Sequence, residues 1–150
     1  MRKFASLEEF VAAKGESLGF SEWHTITQDQ VNAFADATGD HQWIHVDIER
    51  AANGPFGGTI AHGYLTVSLL PILSMETFMI EGLTMGINYG LDRVRFPSPV
   101  LTGSTIRSEA TLTEIKQTHL GSLASVRMRV EIQGQQKAAC VADTLSLFVA

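Results

Sequence analysis

The 150-residue chain is expected to fold as one α+β domain, and three observations carry that expectation. The segment from His62 to about Met79 is apolar on nearly every side, as in a helix buried within a core. After Gly82 the hydrophobic period changes from 3.6 to 2, which marks strands rather than helices. A chain of this length suits a single core, since domains typically hold about 100–200 residues. With 45% hydrophobic and 18% charged residues it can bury one, which excludes a disordered segment.

Each element has its own local signal. Residues 6–14 open with Ser6 and carry Glu9 three positions later, the pattern of a helix whose two end groups cap each other. That helix is expected to end near Gly15 and Gly19, and Trp23-His24-Thr25-Ile26 reads as a brief strand. Thr27 is placed to cap a second helix with Val31, Phe34 and Ala35 on one face, and Gly39 to end it. Residues 40–61 read as irregular, with a helical turn or two at about Asp47–Asn53 and a glycine-rich loop over 54–58. One helix is expected from His62 to about Met79, bent at Pro71, which lacks an N–H.

The strands follow. Val94 and Phe96 alternate with Arg93 and Arg95, Ile106 to Leu112 with Arg107 to Thr113, and Ala124 to Ile132 with Ser125 to Gln133. Residues 138–149 are apolar on both faces towards Leu145–Val149, so that strand is expected to be central. Gly121-Ser122 and Gly134-Gln135 sit at hairpin positions. The layout is a buried helix followed by long antiparallel strands that wrap it. Such a sheet leaves open edges, and pairing with a second copy would cover them. A homodimer with a continuous sheet is therefore expected; a monomer whose edges are protected by charge is the alternative.

Composition narrows the partners. Net charge is −5, unevenly placed: residues 1–90 carry four basic and eleven acidic side chains, residues 91–150 seven basic and five acidic. No basic run resembles a nucleic-acid footprint, so no nucleic-acid partner is expected. The single cysteine, Cys140, excludes an internal disulfide and reads as a small buried hydrophobe. Arg2 and Lys3 are followed by Glu8 and Glu9 rather than an apolar run, so no signal peptide is read. The apolar stretch Tyr64–Met75 is shorter than the roughly 20 residues that span a bilayer. No membrane association and a cytoplasmic location are expected.

Two stretches can carry chemistry. Asp40 follows a helix end and His45 comes five residues later across a loop, so both side chains can enter one cleft. A carboxylate beside an imidazole can hold a water and take its proton near neutral pH. On spacing alone the bland reading stands beside it: Asp40 ties the loop and His45 satisfies a buried polar group. The second stretch is Gly57-Gly58-Thr59-Ile60-Ala61-His62-Gly63, where Gly63 admits close approach to a helix start able to stabilise an oxyanion. A tight turn without a ligand fits it as well. His41 and His45 have ligand-like spacing, but no helix is expected there and Asp40 and Asp47 do not complete a tetrahedral zinc pattern, so no metal site is read. Ser68 and Ser74 lack a nucleophile's context, the glycines at 54–63 match no nucleotide fingerprint, and His24 and His119 read as surface or structural residues.

Thr38-Gly39-Asp40 with Ile44-His45, followed by Ile60-Ala61-His62-Gly63, resembles the paired motif of MaoC-like (R)-specific enoyl-CoA hydratases. Asn88-Tyr89-Gly90 and Arg93-Val94-Arg95-Phe96-Pro97 resemble the nodulation-protein-N branch of that family, and the likeness runs from about Val31 to the C-terminus. The resemblance implies the hot-dog fold, an antiparallel sheet wrapped around a long helix. It implies that Asp40 and His45 are the catalytic pair, activating a water that adds to C3 of a trans-2-enoyl-CoA and returning a proton to C2, to give an (R)-3-hydroxyacyl-CoA. The Gly63 amide matches the oxyanion donor, within a substrate-binding stretch of Ile60, Ala61 and His62. Asn88, Tyr89, Pro97 and Pro99 are implied to line the route of the pantetheine arm. No cofactor and no metal are implied. Arg93, Arg95, Arg107, Arg127 and Arg129 are candidates for a dimer contact or for the nucleotide end of CoA.

This chain departs from the family at Gln42-Trp43, where Asn-Pro is usual, and at Pro71, where some members place Ser. Neither departure touches the Asp/His pair, though acyl-chain preference is left open. Two other activities also remain open at this level: a hot-dog acyl-CoA thioesterase and a non-catalytic acyl-CoA binder.

Overall fold

A computed structural model describes residues 1–150. The chain runs through β1 (Arg2–Phe4), α1 (Leu7–Ala12), β2 (Ser17–Phe20), β3 (His24–Thr25), α2 (Gln28–Thr38), α3 (Trp43–Val46) and α4 (Ile48–Ala52). It continues through α5 (Gly63–Ser68), α6 (Leu70–Thr77), β4 (Phe78–Ile80), β5 (Met85–Arg95), β6 (Thr105–Gln117), β7 (Ser122–Ile132) and β8 (Cys140–Val149).

The local signals act where they were expected. The Ser6 hydroxyl accepts the Glu9 N–H at 3.3 Å, and the Glu9 carboxylate reaches back to the Ala5 N–H at 2.7 Å. Thr27 caps α2 through the Gln30 N–H, and Gly39 closes that helix at φ +81°, a left-handed conformation that costs a side-chain-bearing residue more than glycine. Val31 and Ala35 are buried on the inner face of α2.

The main sheet is antiparallel in the order β2-β6-β7-β8-β5, with β3 pairing on β6. The last strand is internal, between β7 and β5, as its two apolar faces implied. Leu65, Leu70 and Leu73 from the helices share one core with Ile106, Val126 and Met128 from the sheet. Phe10 closes one end of this core, edge-on to Phe4 and Phe148 and stacked on Phe78 at 5.4 Å.

Several expectations are corrected. The helix expected over 62–79 is two helices, α5 and α6, divided at Leu69. Pro71 sits in the first turn of α6, the helical position where a missing N–H costs least. The segment is also not buried all round: Tyr64 is 77% and Met75 67% exposed. A single helical turn, α3, forms where none was expected and carries His45. Strand β2 and the parallel pair β1–β4 are too short to show a period and were not anticipated. Strand β5 pairs only with β8, and almost all of its residues are exposed on both faces.

Cys140 is fully buried in the core, and burial pushes its thiol up from 9.0 to about 11. The thiol therefore stays protonated throughout the neutral range, and the thiolate is the reactive form. A chromogenic disulfide reagent at pH 8 is expected to find no thiol in the native protein and one equivalent after denaturation. Rapid native labelling would contradict this placement of β8.

Candidate active site

Asp40 emerges directly after the left-handed Gly39, with an exposed side chain. Its Oδ1 accepts the Gln42 N–H at 3.3 Å, which turns the chain into α3. That turn buries His45, and the Nδ1–H of His45 donates to the Ile60 carbonyl at 2.7 Å. A carbonyl can only accept, so the contact sets the tautomer and leaves Nε2 as the bare, basic nitrogen. The backbone of α3 is also held: Gln28 donates to the His45 carbonyl at 2.8 Å and accepts from the Thr59 hydroxyl. The Ile60 N–H bonds the Ile44 carbonyl at 3.0 Å, and the Ala61 N–H the Val100 carbonyl at 2.8 Å. Residues 59–61 are thereby laced to α3 on one side and to the chain after β5 on the other.

His62 lies under the pair, 2% exposed. Its Nε2–H donates to the Asp40 carbonyl at 2.9 Å, and its ring stacks on His45 with centroids 3.8 Å apart and planes at 23°. Its Nδ1 is buried without a partner. A buried acceptor left unpaired costs about 1–3 kcal/mol, so a site that keeps one calls for an explanation.

Polar atoms of Asp40, His45 and His62 lie within 4.8 Å of one another, close enough to raise a metal centre. The donor geometry argues against one. One nitrogen of each ring is already committed to a backbone carbonyl. The rings lie in nearly parallel planes 3.8 Å apart at their centroids, so their in-plane lone pairs lie in different planes, unlike the converging donors of a tetrahedral site. His41 is not part of the cluster: its Nε2 lies 2.8 Å from Asp36 Oδ1, a hydrogen bond that raises its pKa. His24 is tied to the carboxylate of Glu76 at 2.8 Å, and His119 is exposed.

Gly63 begins α5 beside His62, covered by the Phe96 ring: a Cβ here would meet ring carbons at 3.0 Å. Asp40, His45 and residues 60–63 thus gather into one site. Pro97 and Pro99 are exposed on the connection after β5 that is laced to it. Asn88 and Tyr89 are exposed on β5 and make no side-chain hydrogen bond to the site; Asn88 lines a cavity of about 670 Å³ between α5–α6 and strands β5 and β8, together with Leu70, Pro71, Met75 and Leu83. The sequence assigns no site role to Gln28, Thr59 or Phe96, because their importance lies in whom they touch. Trp43, which departs from the family pattern, packs beside Gly54 and under Arg50, whose guanidinium is 4.2 Å from its ring, and so fastens α3 to α4.

The arginines separate into two groups. Arg107 and Arg129 pair with Glu131, and Arg127 pairs with Asp143, which raises the arginine's pKa further and fixes its charge. Arg93 and Arg95 are exposed without a carboxylate partner, and Arg95 donates to the Val94 carbonyl at 2.7 Å.

Comparison with known proteins matches residues 9–136 to a family described as MaoC like domain. The chain is 52% identical over 151 residues to 3-hydroxyacyl-thioester dehydratase Z of Mycobacterium tuberculosis, covering 100% of both chains. It is 46% identical over 145 residues to Nodulation protein N of Rhizobium leguminosarum bv. viciae, covering 95% of this chain and 90% of that one. Among solved structures, an R-hydratase from Pseudomonas aeruginosa in the unliganded form overlays with TM-score 0.74 at 23% identity, over 91% of this chain and 81% of that one. The (R)-hydratase from A. caviae overlays with TM-score 0.73 at 24% identity, over 89% and 95%. Both share this fold of an antiparallel sheet packed around a helix.

Proposed function

Since the chain belongs to the MaoC-like domain family and has the hot-dog fold of its solved neighbours, we propose that it is a hydro-lyase adding water reversibly to a trans-2-enoyl thioester to give an (R)-3-hydroxyacyl thioester. The observation that carries this reading is the meeting of Asp40 with a His45 ring whose Nε2 is left bare, next to a helix that starts at Gly63. A water between the Asp40 carboxylate and His45 Nε2 gives up a proton as its oxygen bonds to C3. The C2–C3 π electrons move towards the thioester oxygen, whose developing charge meets the Gly63 N–H. The enolate collapses as C2 takes a proton back from the same pair, on the same face. The addition is redox-neutral and calls for no cofactor. Family members' names point to thioester substrates, and CoA is the carrier we assign, with Arg93 and Arg95 the arginines free to meet its nucleotide end.

The assay is direct. Purified protein with trans-2-enoyl-CoA should remove the conjugated enoyl absorbance and yield the (R)-3-hydroxyacyl-CoA on chiral analysis. Release of free thiol without hydration would replace this reading with a thioesterase. Binding without turnover would replace it with an acyl-CoA carrier. A series of short, medium and long enoyl chains would read the acyl preference of the cavity lined by Pro71 and Met75.

The same reading includes a homodimer in the cytoplasm; no helix is long and apolar enough to cross a membrane. The accessible surface of the single chain is 8215 Å². A compact monomer of this mass would have about 7,500 Å². Large apolar side chains are exposed at the edge strand β5: Ile87, Tyr89 and Leu91 on it, and Met75, which lines one cavity with Ile87 and Leu91, are all at least 40% exposed. Pairing of β5 with a second copy would satisfy that edge and cover these side chains. Light scattering is expected to give twice the 16.3 kDa chain mass, and a 16.3 kDa species at micromolar concentration would overturn the dimer.

A further inference from the structure

His62 contacts or adjoins all three groups that the proposed chemistry uses. Its Nε2–H holds the Asp40 carbonyl, its ring face lies against His45, and its peptide carries the Gly63 amide. It is nevertheless buried beneath them, backed by the Phe34 ring at 4.9 Å, so it is not placed to act on a substrate itself. The unpartnered Nδ1 makes its presence informative. An apolar ring of similar shape would have no acceptor to leave unpaired, but it would give up the hydrogen bond to the Asp40 carbonyl.

We infer that His62 is a positioning residue, locking the Asp40 backbone and the His45 ring plane relative to the Gly63 amide. This rests on the reading of Asp40 and His45 as the acid–base pair. Three groups on three segments must meet one thioester at once, and a displacement of about 1 Å can cost roughly 10²-fold in rate. One residue that hydrogen-bonds the first segment, stacks on the second and is covalently joined to the third removes that freedom.

The test compares His62→Phe, His62→Gln and His62→Ala. Phenylalanine keeps the flat face and loses the donor; glutamine keeps a donor and loses the face. His62→Phe is expected to lower kcat about tenfold with KM within about twofold, with a Tm a few degrees lower and the fold retained. His62→Ala should lower kcat roughly 10²-fold, and His62→Gln should recover part of that loss. In parallel, ¹H–¹⁵N spectra of the histidine side chains should show His45 as the Nδ1–H tautomer in the wild type, with its two nitrogens averaging in His62→Ala.

These spectra require no turnover, so they judge the positioning role separately from the activity. Absence of hydration by the wild type would overturn the acid–base reading. Wild-type kcat in all three variants, or unmoved His45 signals with losses that simply track Tm, would overturn the positioning role of His62.

Discussion

Asp40→Asn is expected to leave a folded protein whose hydration of trans-2-enoyl-CoA falls by about 10³-fold, within the range that positioned acid–base groups contribute. Asparagine preserves the size of the side chain and an oxygen that can accept the Gln42 N–H, so the turn into α3 survives. What it removes is the charge and the ability to take a proton from water. The side chain is exposed, so its replacement should leave Tm nearly unchanged. His45→Gln tests the other partner. Its amide N–H can reach the Ile60 carbonyl, but no basic nitrogen remains to face the water. A comparable loss is expected, with a larger change in stability, because the stack on His62 is also lost. Initial rates with purified variants, checked for fold by circular dichroism, measure both. More than a tenth of wild-type activity in either would remove that residue from the mechanism.

The second large effect is expected from one methyl group. In Gly63→Ala the new Cβ stands 3.0 Å from two carbons of the Phe96 ring, tighter than most real Cβ contacts, so the ring must give by a few tenths of an ångström. Phe96 is 47% exposed and can move outward. Alanine at the start of a helix meanwhile recovers about 0.5–1 kcal/mol of glycine's conformational cost. Stability should therefore change little. The catalytic effect is larger, because the displaced ring and the methyl group crowd the approach of the thioester to the Gly63 N–H. Loss of an oxyanion contact costs about 10²–10³-fold in kcat, and a fall of at least 10² in kcat/KM is expected here. The double variant Gly63→Ala with Phe96→Ala separates the causes. Recovery would assign the loss to the displaced ring, whereas persistence would assign it to crowding at the amide. Full activity of Gly63→Ala alone would remove this amide from the proposed chemistry.

Much of the fold was legible because its signals are local. Ser6, Thr27 and Gly39 mark helix ends through groups within four residues of themselves. The alternation from Ala124 to Ile132 states which face of β7 is buried without reference to any other strand. The break at Leu69 was less legible. Pro71 announces a disturbance, but only the packing decides that the second helix starts around it rather than bending through it.

At the site, the types and spacings of Asp40, His45 and Gly63 were enough to nominate a water-activating pair and an anion-stabilising amide. They could not choose between that reading and the bland one of a tied loop and a satisfied core histidine. Capping and periodicity depend on neighbours along the chain, so the order of residues alone names the chemically capable side chains and most of the elements that carry them. That the Ile60 carbonyl sets the tautomer of His45, that His62 stacks beneath it, and that the outer side of β5 is left bare emerge only in the folded chain. Those outcomes join positions 15 to 17 residues apart, or concern an edge strand whose lack of a second neighbour appears only once the sheet is assembled. Long-range packing, and not local propensity, sets them.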